Sequence, residues 1–281
     1  MIVVVGEVML DVVAVHDVPL AHASDTPARI GLRPGGSGAN TAAWLARAGA
    51  EVALVACVGD DDAARVALGG LDGVDLRLGV DPQLPTGTCV VLVSPGGERT
   101  MLPDPGANNA LSASVLSDEL FTAGNILHVS GYSLLRPGSR PAALAAMDKA
   151  RDAGMPVSVD PASAALLLDD PAFLDRARPV DLLLPNEDEF AALGGDLPGV
   201  KEFVVKRGRA GATWSGGLRT VSVEAVPVDE VIDTTGAGDA FAAGFLSAWP
   251  GEPEAALAAG ARLGALAVAR EGGRPSCDRR G

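Results

Sequence analysis

Short apolar runs alternate with Ala- and Leu-rich stretches along this chain, and that alternation constrains the fold more than any other feature. The Ala- and Leu-rich stretches, such as 40–50 and 141–154, carry apolar residues at helical spacing. Parallel strands need such crossover helices, so the pattern predicts an α/β fold in which a mostly parallel sheet is covered on both faces. The apolar runs that predict buried strands are 2–5, 52–57, 126–131, 157–160, 181–185 and 203–206.

Two segments interrupt the alternation. Residues 12–34 and 86–103 look extended and rich in turns, and the sequence SPGGE at 94–98 is typical of a hairpin turn. We expect these pieces to pair into a small second sheet beside the main domain. The alternative is a pair of surface loops.

Charge and composition exclude several classes of function. The formal net charge of −14 disfavours binding to nucleic acid or to an anionic membrane, because such a surface repels phosphates at long range. No apolar run is long enough for a transmembrane helix, and the N-terminus reads as a buried strand and not as a secretion signal. The three cysteines, Cys57, Cys89 and Cys277, show no metal-ligand spacing, which favours the reducing cytoplasm. None of the three lysines completes a P-loop.

The most informative stretch is VIDTTGAGDAFAAGF, residues 231–245. Gly236 and Gly238 permit a tight turn at the start of an apolar helix, whose first N–H groups lack helical acceptors and attract anions. Asp239 follows at once, and a carboxylate there can accept a proton from a hydroxyl group. Donors for a phosphoryl group beside a base are what phosphoryl transfer requires. The alternative is that Asp239 only complements the helix dipole.

A second glycine-rich loop, RPGGSGANTAAWLARAG at 33–49, also opens a helix. Gly35 and Gly36 let a substrate lie against the backbone, and the amide of Asn40 can both donate to and accept from sugar hydroxyls. Taken alone, this loop favours Asn40 as a plain helix N-cap.

Together these motifs carry a family resemblance. GGSGAN at 35–40 and DTTGAGDAF at 233–241 resemble the two signatures of the ribokinase, or PfkB, family, and the likeness extends over about residues 2–276. It implies a ribokinase-like three-layer kinase domain (1–276), a β-sheet lid (about 12–34 and 86–103) that often makes a homodimer contact, and a C-terminal tail (277–281). The implied reaction moves the γ-phosphoryl of MgATP to a hydroxymethyl group of a small sugar in the cytoplasm.

The resemblance also implies roles for individual residues. Asp239 matches the catalytic base, and the amides of Gly236, Ala237 and Gly238 match the anion hole. The further matching positions are Asp11, Gly35, Gly36 and Asn40 for the sugar, Asn186 and Glu189 for water around Mg²⁺, Lys206, Gly208 and Gly211 for the nucleotide, and Asp233, Thr235 and Ser276 for a monovalent cation such as K⁺. Arg99 lies on the second lid segment, and whether it touches substrate or phosphate is left open.

The substrate is left open. Ser37 stands where ribokinases proper often carry lysine, and LHVSGYS at 127–133 is similar to fructokinase and ketodeoxygluconate kinase relatives. Aromatic residues make up only 4% of the chain, which favours a small neutral sugar over a stacked nucleoside. The alternatives are a nucleoside kinase for adenosine, inosine or pseudouridine, and a non-catalytic sugar- or nucleotide-binding regulator. A nicotinamide dehydrogenase is disfavoured because no G-x-G-x-x-G follows the first strand.

Overall fold

The computed structural model describes residues 1–275 of the chain. Its strands are β1 (Ile2–Val5), β2 (Met9–Val15), β3 (Arg29–Gly35), β4 (Val52–Gly59), β5 (Val74–Asp81), β6 (Thr88–Val93), β7 (Arg99–Asp104), β8 (Ile126–Ser130), β9 (Val157–Asp160), β10 (Leu182–Leu183), β11 (Glu202–Lys206), β12 (Ala212–Gly216) and β13 (Arg219–Val223). Its α-helices are α1 (Ser37–Arg47), α2 (Asp62–Ala67), α3 (Gly131–Leu135), α4 (Arg140–Asp152), α5 (Ala164–Leu168), α6 (Phe173–Ala177), α7 (Glu187–Ala192), α8 (Ala237–Ala248) and α9 (Pro253–Val268).

Nine strands form the main sheet in the order β13-β12-β11-β10-β9-β8-β1-β4-β5. The pairs from β11 to β5 are parallel, and only the β11–β12 and β12–β13 pairs, at one edge of the sheet, are antiparallel. The predicted α/β fold is therefore confirmed. Each predicted strand is present, although the run at 181–185 pairs over only two residues, and β5 and β13 were not foreseen. Their polar alternation reflects partial exposure near the sheet edges.

A hydrophobic core lies on each face of this sheet. On one face Trp44 of α1 and Phe245 of α8 are fully buried, and on the other face Met147 of α4 and Phe173 of α6 are. Burying a side chain of this size contributes about 1.5–3 kcal/mol, so the helices are held against both faces by burial of apolar surface. The result is three layers.

The two interrupting segments form a separate four-stranded sheet, in the order β3-β2-β6-β7, called the small sheet below. The turn at 94–98 joins β6 to β7, with Ser94 N–H donating to the Glu98 carbonyl at 3.0 Å. The predicted second sheet is thus confirmed, and surface loops are the wrong alternative. Its first strand begins at Met9, so Asp11 lies within a strand and not at a strand-end turn.

Two helix starts differ from the sequence interpretation. Helix α1 begins at Ser37, three residues earlier than the predicted 40–50, because Gly36 turns the chain with φ +93°. Asn40 is therefore inside the first turn and is not the N-cap. Asn186, expected to share a helix face with Glu189, is instead the N-cap of α7. Within residues 1–275, none of the helices combines the length and the apolar character needed to cross a bilayer.

Candidate active site

A cavity of about 940 Å³ lies between the small sheet and the carboxyl ends of the parallel strands. Strands that run the same way end at the same edge of a sheet, so the polar residues that follow them converge there. Glu7 follows β1, Asp160 ends β9, Asn186 follows β10 and Lys206 ends β11, and all four line the cavity. Asp11 of the small sheet also lines it.

The glycine loop, residues 233–238, meets this cavity at the start of α8. Gly236 adopts a left-handed conformation (φ +72°), and a Cβ there would lie 2.6 Å from the Cα of Gly273. Within residues 1–275, the N–H groups of Gly236, Gly238 and Asp239 donate to no protein acceptor, as expected at a helix start. The Ala237 N–H, predicted as one of three donors together with those of Gly236 and Gly238, already reaches the Thr234 carbonyl at 3.3 Å. The loop thus presents open donors to the cavity.

Asp239 lies beside these donors and forms no ion pair among the described residues. Its two carboxylate oxygens accept one hydrogen bond each, from Ser37 Oγ at 2.7 Å and from Asn40 Nδ2 at 2.9 Å. Burial raises the pKa of Asp239 to about 6, against the lowering effect of the bonds from Asn40 and Ser37. The carboxyl group is therefore fixed in position, and its pKa lies close to neutral pH. Ser37 gave no sign of this contact in the sequence.

Asn40 is held from its other side by Arg274, a residue that sequence reasoning missed. The Asn40 Oδ1 accepts from Arg274 Nε at 3.2 Å, and the same guanidinium donates to the Gly35 carbonyl at 2.6 Å. Arg274 is 5% exposed, and burial lowers its pKa to about 10. A Cβ on Gly273 would lie 2.5 Å from Asn40 Nδ2, so the C-terminal loop passes directly over this amide.

Gly35 supports Asp11 and is not part of the cavity wall. A Cβ at Gly35 would lie 2.3 Å from Asp11 Oδ2, so only glycine allows this carboxylate its position. Burial raises the pKa of Asp11 to about 6, with Arg274 opposing the rise. Glu7, also missed from the sequence, accepts from Ser37 N–H at 2.9 Å, and its buried Oε2 has no protein partner among the described residues. Gly36 lines the cavity as predicted.

At the other end of the cavity, Lys206 is nearly buried and paired with Asp160. Its Nζ lies 2.6 Å from Asp160 Oδ2, and a Cβ on Gly238 would lie 3.6 Å from the same Nζ, so the ammonium sits next to the glycine loop. Glu189 is 4% exposed and forms a capping box with Asn186, each side chain accepting from the other residue's N–H at 2.8 Å. Asp160 is the member of this group that the sequence did not reveal.

The charges here bear on whether Mg²⁺ fits. Burial raises the pKa of Glu189 to about 7, and the charge of Asp160 adds to the rise in spite of Lys206. Negative charge is thus in excess, a condition that a divalent cation relieves. Within residues 1–275 no group of three or more His, Cys, Asp or Glu side chains is placed to hold a metal ion.

Gly208 and Gly211 also line the cavity, in the hairpin between β11 and β12. Both have positive φ, and a Cβ on Gly211 would lie 1.9 Å from the Val223 carbonyl of β13. The predicted strand, glycine turn and returning strand are all present. Contact with a nucleotide stays a prediction.

The candidate cation ligands are placed differently from expectation. Arg99 of the small sheet donates to Asp233 Oδ1 at 2.7 Å, and the Asp233 oxygens also accept from the N–H groups of Thr235 at 2.7 Å and Gly272 at 3.0 Å. These donors occupy the carboxylate, so it does not fit a monovalent cation as it stands. Ser276 lies outside the described residues, as does the tail 277–281.

Arg136 is a further residue that the sequence analysis passed over. It lines the cavity after α3, and its guanidinium lies 5.1 Å from the centre of the Tyr132 ring. Within residues 1–275 its side chain has no hydrogen bond or carboxylate partner. Its charge lowers the pKa of Cys89, which burial and Asp11 raise, so it faces the small-sheet end of the cavity.

Comparisons with known proteins agree with this geometry. The description "pfkB family carbohydrate kinase" matches residues 1–279. The chain belongs to the PfkB family of carbohydrate kinases. It is 34% identical to the ATP-dependent ribose-1-phosphate kinase of Halopiger xanaduensis over 87% of this chain and 84% of that protein, and 36% identical to the fructokinase of Salmonella typhimurium over 76% of each.

A solved structure extends the likeness to the fold. The putative ribokinase II of E. coli in complex with ATP and Mg²⁺ superposes with a TM-score of 0.80 at 27% identity, over 97% of this chain and 94% of that one. The chain is thus a carbohydrate kinase by family, with the ribokinase-like fold.

The environment of Asp239 predicts a cost in stability. Its folded pKa of about 6 lies above the ordinary 3.8, so between these values the folded state binds more protons and stability falls as pH rises. Above pH 6 the cost is complete. The pKa shift of Asp239 corresponds to about 3 kcal/mol, which we reduce because the side chain is partly exposed. We therefore expect Asp239→Asn to raise the free energy of unfolding by about 1–2 kcal/mol at pH 7.5.

Urea denaturation from pH 7.5 to pH 4.5 measures this effect, and the gain should shrink as pH falls. Asp229→Asn, at an exposed residue, is the matched control and should show no such trend. An Asp239→Asn variant that is less stable than wild type at pH 7.5 would contradict the assignment.

Proposed function

We propose that this carbohydrate kinase transfers the γ-phosphoryl group of MgATP to a hydroxymethyl group of a small sugar, with Asp239 as the base. The observation that carries the proposal is the position of Asp239, a carboxylate with no ion-pair partner among the described residues, next to the open N–H groups of Gly236 and Gly238. Phosphoryl transfer depends on positioning and on stabilising charge at the moving group. This loop supplies both within one turn of helix.

In the proposed step, the sugar hydroxyl gives its proton to an oxygen of Asp239 as its own oxygen bonds to the γ-phosphorus. The bond from that phosphorus to the bridging oxygen breaks, and the electron pair leaves with ADP. Open N–H groups of the glycine loop stabilise the charge on the transferring oxygens. Ser37 and Asn40 keep the base aimed by holding both of its oxygens.

The nucleotide would lie toward Lys206, Gly208 and Gly211, and the sugar toward Asp11, Gly36 and Asn40. Glu189 and Asp160 would hold hydrated Mg²⁺, with Asn186 fixing Glu189 through the capping box. When bound, Mg²⁺ neutralises charge on the phosphate oxygens. Lys206 lies between Asp160 and the glycine loop, where its ammonium group can stabilise the negative charge of the phosphoryl group as it is transferred.

Asp239→Asn should lose turnover by about 10²–10⁴-fold or more, because general-base catalysis and the positioning of the hydroxyl are both affected. The ADP released in a coupled assay measures the loss, and equilibrium binding of MgATP should stay within about twofold of wild type. Asp229→Asn serves again as control. Near-normal turnover in Asp239→Asn would remove the base from the proposal.

Arg136 bears on the class of sugar. Its guanidinium lies 5.1 Å from the centre of the Tyr132 ring and has no hydrogen-bond or carboxylate partner among the described residues, and it lines the same cavity as Cys89 of the small sheet. A charge placed so suits an acceptor with a phosphate or carboxylate group away from the reacting hydroxyl. One relative is named a ribose-1-phosphate kinase, which agrees with this second candidate.

A panel of ribose, fructose, ribose-1-phosphate, ketodeoxygluconate, adenosine and pseudouridine decides between the candidates. If the acceptor is anionic, Arg136→Gln should lower its kcat/KM by about 10–100-fold, the value of a charge-assisted hydrogen bond, and Arg136→Lys should lose less. Neutral sugars should be unaffected. If the kcat/KM of wild type is highest for ribose or fructose, the substrate is a neutral sugar. If it is highest for adenosine, the protein is a nucleoside kinase.

We further propose that the small sheet acts as a lid and as a homodimer contact. Its outer face carries one apolar cross-strand row, Leu32, Val12, Val90 and Leu102, in which Leu32 and Leu102 are 56% and 54% exposed. Apolar rows of this kind are usually covered by a partner.

The free, buried thiols of Cys57 and Cys89 agree with a cytoplasmic location, which cell fractionation would test.

Light scattering should give twice the mass of one chain for wild type and a single chain for Leu32→Lys, because a buried unpaired lysine is costly at an interface. Leu168→Lys is the matched control, since Leu168 is 70% exposed on α5 and lies outside the small sheet. A monomeric wild type at the concentrations of the kinase assay would dismiss the dimer.

A further inference from the structure

One residue of the small sheet reaches across the cavity mouth to the glycine loop. Arg99, at the first position of β7, donates from Nη2 to Asp233 Oδ1 at 2.7 Å and from Nη1 to Thr234 Oγ1 at 2.9 Å. Both charged side chains are mostly covered, at 22% and 17% exposure. This ion pair therefore differs from the exposed pairs elsewhere on the protein, which contribute little.

Asp233 joins three separate parts of the chain. Besides Arg99, its carboxylate accepts from the Thr235 N–H within the glycine loop and from the Gly272 N–H of the C-terminal loop. Within residues 1–275 the carboxylate has one positively charged partner, Arg99, which comes from the small sheet.

The same carboxylate is the residue expected to hold a monovalent cation. A monovalent cation on the same carboxylate would lie at short range from the guanidinium of Arg99, and the repulsion between these two like charges disfavours such an ion. From the occupied oxygens we infer that Arg99 takes the place of a monovalent cation beside the glycine loop, so that closure of the small sheet, and not K⁺ binding, orders the anion hole. This inference rests on the proposed function for its catalytic consequence.

Arg99 is on this account a positioning residue, because it acts through Asp233 and Thr234 and does not touch the reacting atoms. The two-point bond fixes the residues immediately before Gly236, whose N–H is one of the open donors. Opening of the small sheet would release these residues, so the anion hole would be complete only when the cavity is covered. Water would then be kept from the activated phosphate.

The small sheet supplies a matched control. Arg29 lies in the same cross-strand row as Arg99, through Val15 and Val93, but on the opposite edge strand. It pairs with Asp17 at 3.1 Å, and both side chains are more than 70% exposed. Arg29→Gln therefore removes an equal charge from the same sheet without touching the glycine loop.

The test compares KCl with choline chloride at equal ionic strength, in the full-length protein. Wild type and Arg29→Gln should show kcat values within about twofold in the two salts. The kcat of Arg99→Gln should fall about tenfold or more below wild type in choline chloride, as expected for loss of one preorganised charge. Part of this kcat should return in KCl, because Asp233 without its arginine partner can accept K⁺. Arg99→Lys should retain more activity than Arg99→Gln.

A second readout needs no turnover. By mass action, K⁺ should raise the melting temperature of Arg99→Gln relative to choline, and should leave that of wild type unchanged. This arm remains valid if no sugar is phosphorylated, so the inference and the proposed function can fail separately. Activation of wild type by K⁺ of about fivefold or more, or an Arg99→Gln variant equal to wild type in both salts, would overturn the inference.

Discussion

Carboxylates gathered at low dielectric repel one another, and the cavity of this kinase depends on how that repulsion is balanced. Asp11, Glu189 and Asp239 all have a raised pKa, with burial as the first cause in each case. Glu189 and Asp239 lie near the carboxyl edge of the parallel sheet, where strand direction brings polar ends together, and Asp11 lines the same cavity from the small sheet. The fold thereby concentrates groups that accept protons and attract cations, at a cost in stability that apolar burial in the two cores offsets.

Three cations from three different parts of the chain keep this arrangement in place. Arg274 of the C-terminal loop holds Asn40 and the Gly35 carbonyl, Lys206 of β11 pairs with Asp160, and Arg99 of the small sheet pairs with Asp233. Arg274 and Arg99 also fix loops through their hydrogen bonds, whereas Lys206 holds the last residue of β9. Electrostatic balance and loop geometry therefore have the same cause in this site.

Glycine makes the close approach of these loops possible. Gly35 lies under the Asp11 carboxylate, Gly236 contacts the backbone of Gly273, and Gly273 in turn lies against Asn40. Any side chain at these positions would push the loop that contains Gly35 away from the loop that carries the open N–H groups. The glycine-rich motifs are thus explained as much by packing between loops as by contact with a ligand.

The sequence by itself determined the parallel sheet, the existence of the small sheet and the pairing of a glycine turn with Asp239, because these follow from local periodicity and turn chemistry. Most of the candidate residues it singled out line one cavity, and their roles there stay predictions. Only the tertiary structure decided that Ser37 and Asn40 hold Asp239, that Arg274 holds Asn40, and that Arg99 occupies Asp233 across 134 positions of sequence. Such contacts join single polar side chains from distant segments, and a lone arginine leaves no periodic signal of the partner that folding will bring to it.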